Sequence, residues 1–501
     1  MSRTPIQIRE DLISIWQAGV NAVLPDRLVS DNVFLLLPDD PRNVDDSDYS
    51  FEIGGEQYPL SGIDRVVVVG GGKASGGMAA GFLRICEPIL GRVEVTGWVN
   101  VPSDCVVPLE KIHLHAARQT GKNEPTNDAV FGTEKIIELL ESLTKFDLCI
   151  CLISGGGSAL LPAPAADISL EAKCELTRFL SDAGATIQEL NTVRKTISRI
   201  KGGGLKRICQ GKRLISLILS DVLGDPPDVI ASGPTVDSKT NATDALNVLR
   251  KFINKPTQND SLNKIFKYIE NKSKNETQYA PPKSAQAEKS KTPVQFADEI
   301  GNKTYENETG FVKNIVVGNN AIAVEAAGME ALRRGYNHTL FAANTSEGFA
   351  EDVGARLVQL GLDMQNTATD CLIHGGEPVV KLVPKEIRGD GGRNQQLLLA
   401  AICKMLNIVK NTDSQNSKIP IAILAGSTDG EDGPTDAAGA WIDQIAWDIL
   451  VEEMQNNPNY DPNEFLKRND AYNFFKPLNT LIKTGITGTN VCDLRIVLDC
   501  R

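Results

Sequence analysis

Histidine is scarce in this chain: four in 501 residues, His113, His115, His338 and His374. None of their spacings pairs them as zinc ligands, so a histidine-centred metal site and a Ser-His-Asp hydrolase are both poorly supported. Positive charge is also short, with Lys+Arg 52 against Asp+Glu 64 and a formal net charge of -12. That balance argues against a nucleic-acid partner and leaves room for a local positive pocket. No apolar run reaches the length of a membrane span, and Glu10 and Asp11 stand where a secretory leader would carry its apolar stretch. We therefore expect a cytoplasmic protein without a membrane partner. The 10 cysteines lie mostly in apolar runs, as Cys149 and Cys151 do in FDLCICLI, and read as reduced structural thiols.

The length exceeds what one hydrophobic core usually supports, so two domains are expected. Apolar spacing from Ile8 to Leu24, ended by Pro25, predicts an amphipathic N-terminal helix whose task is packing. Strand and helix patterns then alternate: Val66–Val69, Val93–Val99, a helix from Val130 to Leu143, and strands at Leu148 and Leu214. This is the pattern of a doubly wound α/β sheet. Residues 271–310 change composition to Lys, Glu, Asn, Ser and Pro, and read as a mobile insertion or linker. After it the alternation restarts, with strands predicted at Ile315–Val317, Cys371–His374, Val379–Leu382 and Ile419–Leu424. The expected layout is an α/β domain over 1–270, the polar segment 271–310, and a second α/β domain over 311–501.

Chemistry-bearing residues gather just past the predicted strands. After the valine strand comes GGGKAS, in which Gly71 and Gly72 let backbone N–H groups approach an anion and Lys73 carries an ammonium. Tight strand-to-helix packing explains the same glycines equally well. The stretch is neither a Walker loop, because Val67 and Ala74 stand where Gly and Ser/Thr are needed, nor a dinucleotide fingerprint, because Ser75 stands at the last glycine. A second turn, SGGGS, places Ser154, Gly155, Gly156, Gly157 and Ser158 as another anion cradle. In LNTVRK, Asn191, Arg194 and Lys195 precede a further glycine run, with Arg199 read as a solvated face. Asp221, Asp225 and Asp228 follow a strand's carboxyl end, where open α/β sheets bind their ligands, and carboxylates there suit Mg²⁺, though turn chemistry explains part of this. Arg393 stands at a helix start and so opposes the helix dipole, which predicts an anion beside it. The loop STDGEDGPTD adds Asp429, Asp432 and Asp436.

Read together and in order, GGGKAS, SGGGSALL, LNTVRK with KGGGL, SDVLGD with ASGPT, GGE, GDGGRNQ, STDGEDGPTDAAGA and TGTNVCDLR resemble the class II glycerate kinases, the MOFRL-domain family. The resemblance implies a Rossmann-like N-terminal domain with a parallel sheet and a smaller MOFRL-type α/β C-terminal domain. It also implies an active site in the cleft between them. The implied reaction moves the γ-phosphoryl of ATP to D-glycerate with Mg²⁺, 2-phosphoglycerate being favoured over 3-phosphoglycerate. Carried over by motif, Lys73 and Arg393 look like the two catalytic cations, with Asp221 and Asp429 as the acidic side. SGGGS, Asn191, Arg194, Lys195 and Glu377 look like substrate and phosphate contacts; Asp221 with Asp225, from their place at the strand end, are the expected metal ligands. One departure is Pro125-Thr126, where related sequences often carry Pro-Asp. The rival readings are an NAD(P)-dependent hydroxypyruvate reductase and a non-catalytic sugar-acid or nucleotide binder.

Overall fold

In the computed structural model of the chain, residues 3–38, 49–119, 124–253, 259–278, 303–307, 310–411 and 418–500 are described. Two compact units form: Pro25–Leu219 with Pro226–Val317, and Met1–Leu24 with Ser220–Asp225 and Gly318–Arg501.

The first unit begins with a small antiparallel sheet of β1 (Val33–Leu36), β2 (Ser50–Ile53) and β3 (Glu56–Pro59). Its main sheet contains β4 (Arg65–Gly71), β5 (Glu94–Pro102), β6 (Ile112–Arg118), β7 (Leu148–Ile153), β8 (Arg213–Leu219), β9 (Lys303–Asn307) and β10 (Gly310–Gly318). The spatial order is β6-β5-β4-β7-β8-β10-β9. From β6 to β8 all neighbours are parallel. Val66 to Val69 and Leu148 to Ile153 are wholly buried, which is what an unalternating apolar run means in a sheet covered on both faces. The strand order runs outward in both directions from β4 and β7. The crevice beyond their carboxyl ends is where such sheets bind ligands.

The second unit carries a mixed sheet of β11 (His338–Ala342), β12 (Cys371–Gly376), β13 (Ile421–Ser427), β14 (Gly439–Ile442), β15 (Leu481–Ile482) and β16 (Asp493–Asp499). Its order is β11-β12-β16-β13-β14-β15. Among the described strands of this sheet only β11 and β12 pair in parallel; β16 runs antiparallel between β12 and β13.

Several expectations are corrected here. The N-terminal helix Pro5–Ala22, started by a Thr4/Gln7 capping box, belongs to the mixed-sheet unit and not to a contiguous 1–270 block. It buries Leu12, Ile15 and Trp16 there; the Trp16 indole donates to Gly426 O at 3.3 Å, and Arg9 grips Asp443 through Nε and Nη2 at 2.6 and 3.0 Å. Residues 271–278 are not linker but the end of the helix Asp260–Gln278, with Ile269 and Ser273 buried. Lys303–Asn307 pairs as β9 with β10, and the rest of the proposed insertion lies outside the described residues. Val379 makes only an isolated bridge to Phe349 and starts no strand. Among the described residues no helix is long and apolar enough to cross a membrane.

Candidate active site

Parallel pairing of β4 with β7, in which Gly71 stands opposite Ile153, brings GGGKAS and SGGGS side by side. The two loops are stitched together. Lys73 N donates to Gly155 O at 2.8 Å, and Ala74 N donates to Ser154 Oγ at 3.0 Å. Ser75 Oγ lies 3.1 Å from Ser154 Oγ and donates to Leu152 O at 3.2 Å. Ser154 is fully buried, and its hydroxyl joins the two loops. The glycine run is also needed by the protein itself: a Cβ at Gly70 would stand 2.0 Å from Leu152 O, and one at Gly72 would stand 2.0 Å from Ser154 Oγ. Gly71, the last residue of β4, packs on Leu161. Gly156 is the exposed tip, at φ +77°, with Lys73 Cγ and Arg118 Nη2 within 3.6 and 3.2 Å of where its Cβ would be. Gly157 follows it as the first residue of a short helical turn.

Ser158 is the centre of a cationic cluster on the same loop. Its Oγ accepts from Lys201 Nζ at 2.6 Å and Arg194 Nη2 at 2.7 Å, and lies 3.1 Å from Ser232 Oγ. Lys201 Nζ also donates to Ser158 O at 2.9 Å and Ser232 Oγ at 3.3 Å. Arg194 and Lys195 occupy the last turn of the helix Ile187–Thr196, the end that favours cations. Asn191 Oδ1 accepts from Arg194 Nη1 at 3.4 Å, and Lys195 approaches Asp228 only to 4.0 Å. Burial, then the charges of Lys173, Arg194 and Lys195, push the Lys201 ammonium well below its usual range. Burial and Arg194 bring Lys173 down to about 8. Arg199 stays on the surface with Glu134, as expected of a solvated face.

The mixed-sheet unit has the opposite character. Gly376 on β12 and Ser427 on β13 both stand opposite Asp493 at the start of β16, so the segments leaving β12 and β13 meet at one sheet end. Arg393 is the first residue of the helix Arg393–Asn411. Its guanidinium grips Asp493 through Nε at 2.8 Å and Nη2 at 3.0 Å, and Glu377 Oε1 through Nη1 at 2.6 Å. The anion expected beside Arg393 is thus supplied by protein carboxylates. Asp432 completes the helix start, accepting from the backbone N–H of Asn394 and Gln395 at 3.0 and 2.8 Å. Burial, opposed by those two N–H groups, pushes the Asp432 carboxyl up to about 7. Glu377 is also raised, by burial first, with Arg393 opposing.

Asp429 is oriented by Ser427 Oγ at 2.7 Å and Glu431 N at 3.1 Å, both donating to its Oδ1. The other polar residues of that loop hold it in place: Thr428 bonds to β16's approach, and Asp436 pairs with Lys483 on the surface. Asp221 joins this end through its carbonyl, which accepts from Cys492 Sγ at 3.2 Å. Asp225 Oδ2 accepts at 2.6 Å from Nδ2 of Asn319, the N-cap residue of the helix Asn320–Arg333. Among the described residues no group of three or more His, Cys, Asp or Glu is placed to hold a metal. A Mg²⁺ delivered with a nucleotide needs only one or two protein oxygens, which the half-exposed Asp221 and the partly used Asp225 fit.

Sequence reasoning passed over Lys173, Ser232 and Asp493. Lys173 had a signal: in LEAKCELTRFL it falls on the stripe of Leu176 and Leu180, and only 3% of it is exposed. Thr126 explains the missing Asp. It caps the helix Asn127–Glu141, accepting from Ala129 N at 3.1 Å, the task a carboxylate would perform there.

The chain matches a domain of unknown function (DUF4147) over residues 11–267 and the MOFRL family over residues 370–493. It is 33% identical to a Danio rerio glycerate kinase, covering 97% of this chain and 96% of that one. It is also 33% identical to a putative hydroxypyruvate reductase of Agrobacterium vitis, over 87% of this chain and 99% of the other. The crystal structure of a Thermotoga maritima glycerate kinase superposes with a TM-score of 0.74 at 28% identity, covering 98% and 99% of the two chains. With its sheet topology and both halves matched, the chain belongs to the MOFRL-type glycerate kinases, phosphotransferases that act on an alcohol group.

Proposed function

We infer that this protein phosphorylates D-glycerate with ATP and Mg²⁺, yielding 2-phosphoglycerate and ADP. The observation that carries the reading is the pair of stitched glycine loops bearing Lys73 beside a buried cationic cluster. Phosphoryl transfer needs cations on spreading negative charge and a well-placed hydroxyl, and no histidine. Lys73, Arg194 and Lys195 bind phosphate oxygens, with Gly155 to Ser158 shaping the loop that carries them. Arg393 has five N–H donors and commits three, which leaves two for an oxygen of the transferring group or the glycerate. Asp429 accepts the glycerate hydroxyl proton as the new O–P bond forms and the bond to ADP breaks; Asp221 is the alternative base. Asp221 with Asp225 would hold Mg²⁺, which when bound would supply charge neutralisation on the phosphate oxygens. The preference for 2-phosphoglycerate rests on the family resemblance.

A reductase reading has less support in this chain. The Cβ faces of Gly70 and Gly72 are filled by β7 and its loop, and Ser75 is buried where the dinucleotide fingerprint requires glycine. Purified protein with Mg²⁺, ATP and D-glycerate should release ADP and give the phosphorus resonance of 2-phosphoglycerate. Lys73→Met should lower kcat by ~10² or more. NAD(H)-dependent turnover of hydroxypyruvate without glycerate-dependent ADP release would overturn the kinase reading.

A further inference from the structure

The hydrogen bonds around Ser158 leave donors over. Lys201 Nζ has three N–H groups and three acceptors: Ser158 O, Ser158 Oγ and Ser232 Oγ. Ser158 Oγ receives both Lys201 and Arg194, so its own proton goes to Ser232 Oγ at 3.1 Å. Ser232 Oγ is then filled by Lys201 and Ser158, and its proton has no acceptor in the cluster. Lys173 Nζ, on the helix Leu170–Asp182, is buried without a hydrogen-bond partner among the described residues.

The charge is unbalanced in the same direction. Lys173 and Lys201 are 3% and 2% exposed, and Arg194 and Lys195 act on Lys201 from the neighbouring helix. Among the described residues, the facing groups of opposite sign are Asp228, 4.0 Å from Lys195, and the weakly acidic Cys174 thiol beside Lys173 and Arg194. Unpaired buried cations are strongly unfavourable, and the protein keeps several together. A single carboxylate would balance one of them. A chain of phosphates brings several charges and many acceptor oxygens at once, matching both surpluses.

We propose that Lys173, Arg194 and Lys201, with the Ser158 and Ser232 hydroxyls, form the site for the polyphosphate tail of the nucleotide donor, and that D-glycerate binds elsewhere. This rests on the kinase reading, and it assigns Lys173, Lys201 and Ser232 a ligand role. The role of Lys173 carries a signature: replacing an unpartnered buried ammonium by a side chain of similar length stabilises the empty protein while weakening the ligand.

The probe is inorganic tripolyphosphate, titrated by calorimetry at low ionic strength into the full chain and into Lys173→Met. The variant should melt at a higher temperature than wild type without ligand, and should bind tripolyphosphate roughly ten- to a hundredfold more weakly. Its affinity for D-glycerate should not change. Ser232→Ala, which removes one surplus donor and no charge, should weaken tripolyphosphate by a smaller factor. Equal tripolyphosphate affinity in wild type and Lys173→Met overturns the proposal, as does loss of D-glycerate binding in the variant. Glycerate-dependent ADP release by wild type, measured separately, distinguishes the two failures. If ADP is released but tripolyphosphate binding ignores Lys173, the site assignment alone falls. If no ADP is released, the kinase reading falls with it.

Discussion

Replacing Arg393 by alanine removes three charge-assisted hydrogen bonds together: two to Asp493 and one to Glu377. Asp493 is 0% exposed and so would be left as a buried carboxylate with no cation, close enough to Asp432 to raise that group's proton affinity. Breaking such a pair costs about 3–5 kcal/mol. At roughly 2–4 °C per kcal/mol for a unit of this size, melting should fall by ~6–20 °C. A guanidinium that only touched substrate would leave melting unchanged. The two contributions separate in Arg393→Ala/Asp493→Asn, which removes the stranded charge along with its partner. The double variant should regain much of the stability and none of the activity. Melting is followed by calorimetry, and turnover is measured well below the lowest transition. A single Arg393→Ala variant melting within about 2 °C of wild type would refute the reasoning, because a 3 kcal/mol loss cannot hide in so small a shift. So would a double variant whose loss is the sum of the two single losses.

A second prediction follows from Asp432, whose folded pKa of about 7 lies above the 3.8 of an unperturbed carboxyl. Between those values the folded state binds the proton and the unfolded state does not. The group's contribution is therefore complete below about pH 4 and lost as pH rises through 7, an amount on the order of 4 kcal/mol. Urea unfolding across pH 4 to 8 should show this decline in wild type and a flatter profile in Asp432→Asn; parallel profiles would remove Asp432 as its source. A third concerns Gly72, where an added methyl would meet Ser154 Oγ and, at 2.7 Å, the Ser154 carbonyl. Gly72→Ala should lose about 1–3 kcal/mol or more of stability in the absence of any ligand. An unchanged melting temperature with weakened nucleotide binding would instead make Gly72 part of an anion cradle.

Local pattern was enough to read the alternating α/β architecture, because buried parallel strands require continuous apolar runs and the glycine turns mark their ends. Val66–Val69 with GGGKAS, and LCICLI with SGGGS, were legible for that reason. So was the helix Pro5–Ala22, whose apolar spacing and Pro25 stop are local features; the core it packs on is not. Trp16 finds Gly426, and Arg9 finds Asp443, more than four hundred residues away. The same limit applies to the candidate site. Sequence identifies Lys73, Arg194 and Arg393 as cations beside glycine runs, but not which of their N–H groups are already taken. Only the register of β12, β16 and β13 decides that Arg393 meets Asp493 and Glu377. Only the close approach of β4's loop to β7's loop turns Ser154 inward, while Ser158 is left among cations. Strands and turns are set by residues a few positions apart, so they can be read in order. Hydrogen-bond partners and unpaired charges depend on which distant segments share the low-dielectric interior, and that is decided when the chain folds.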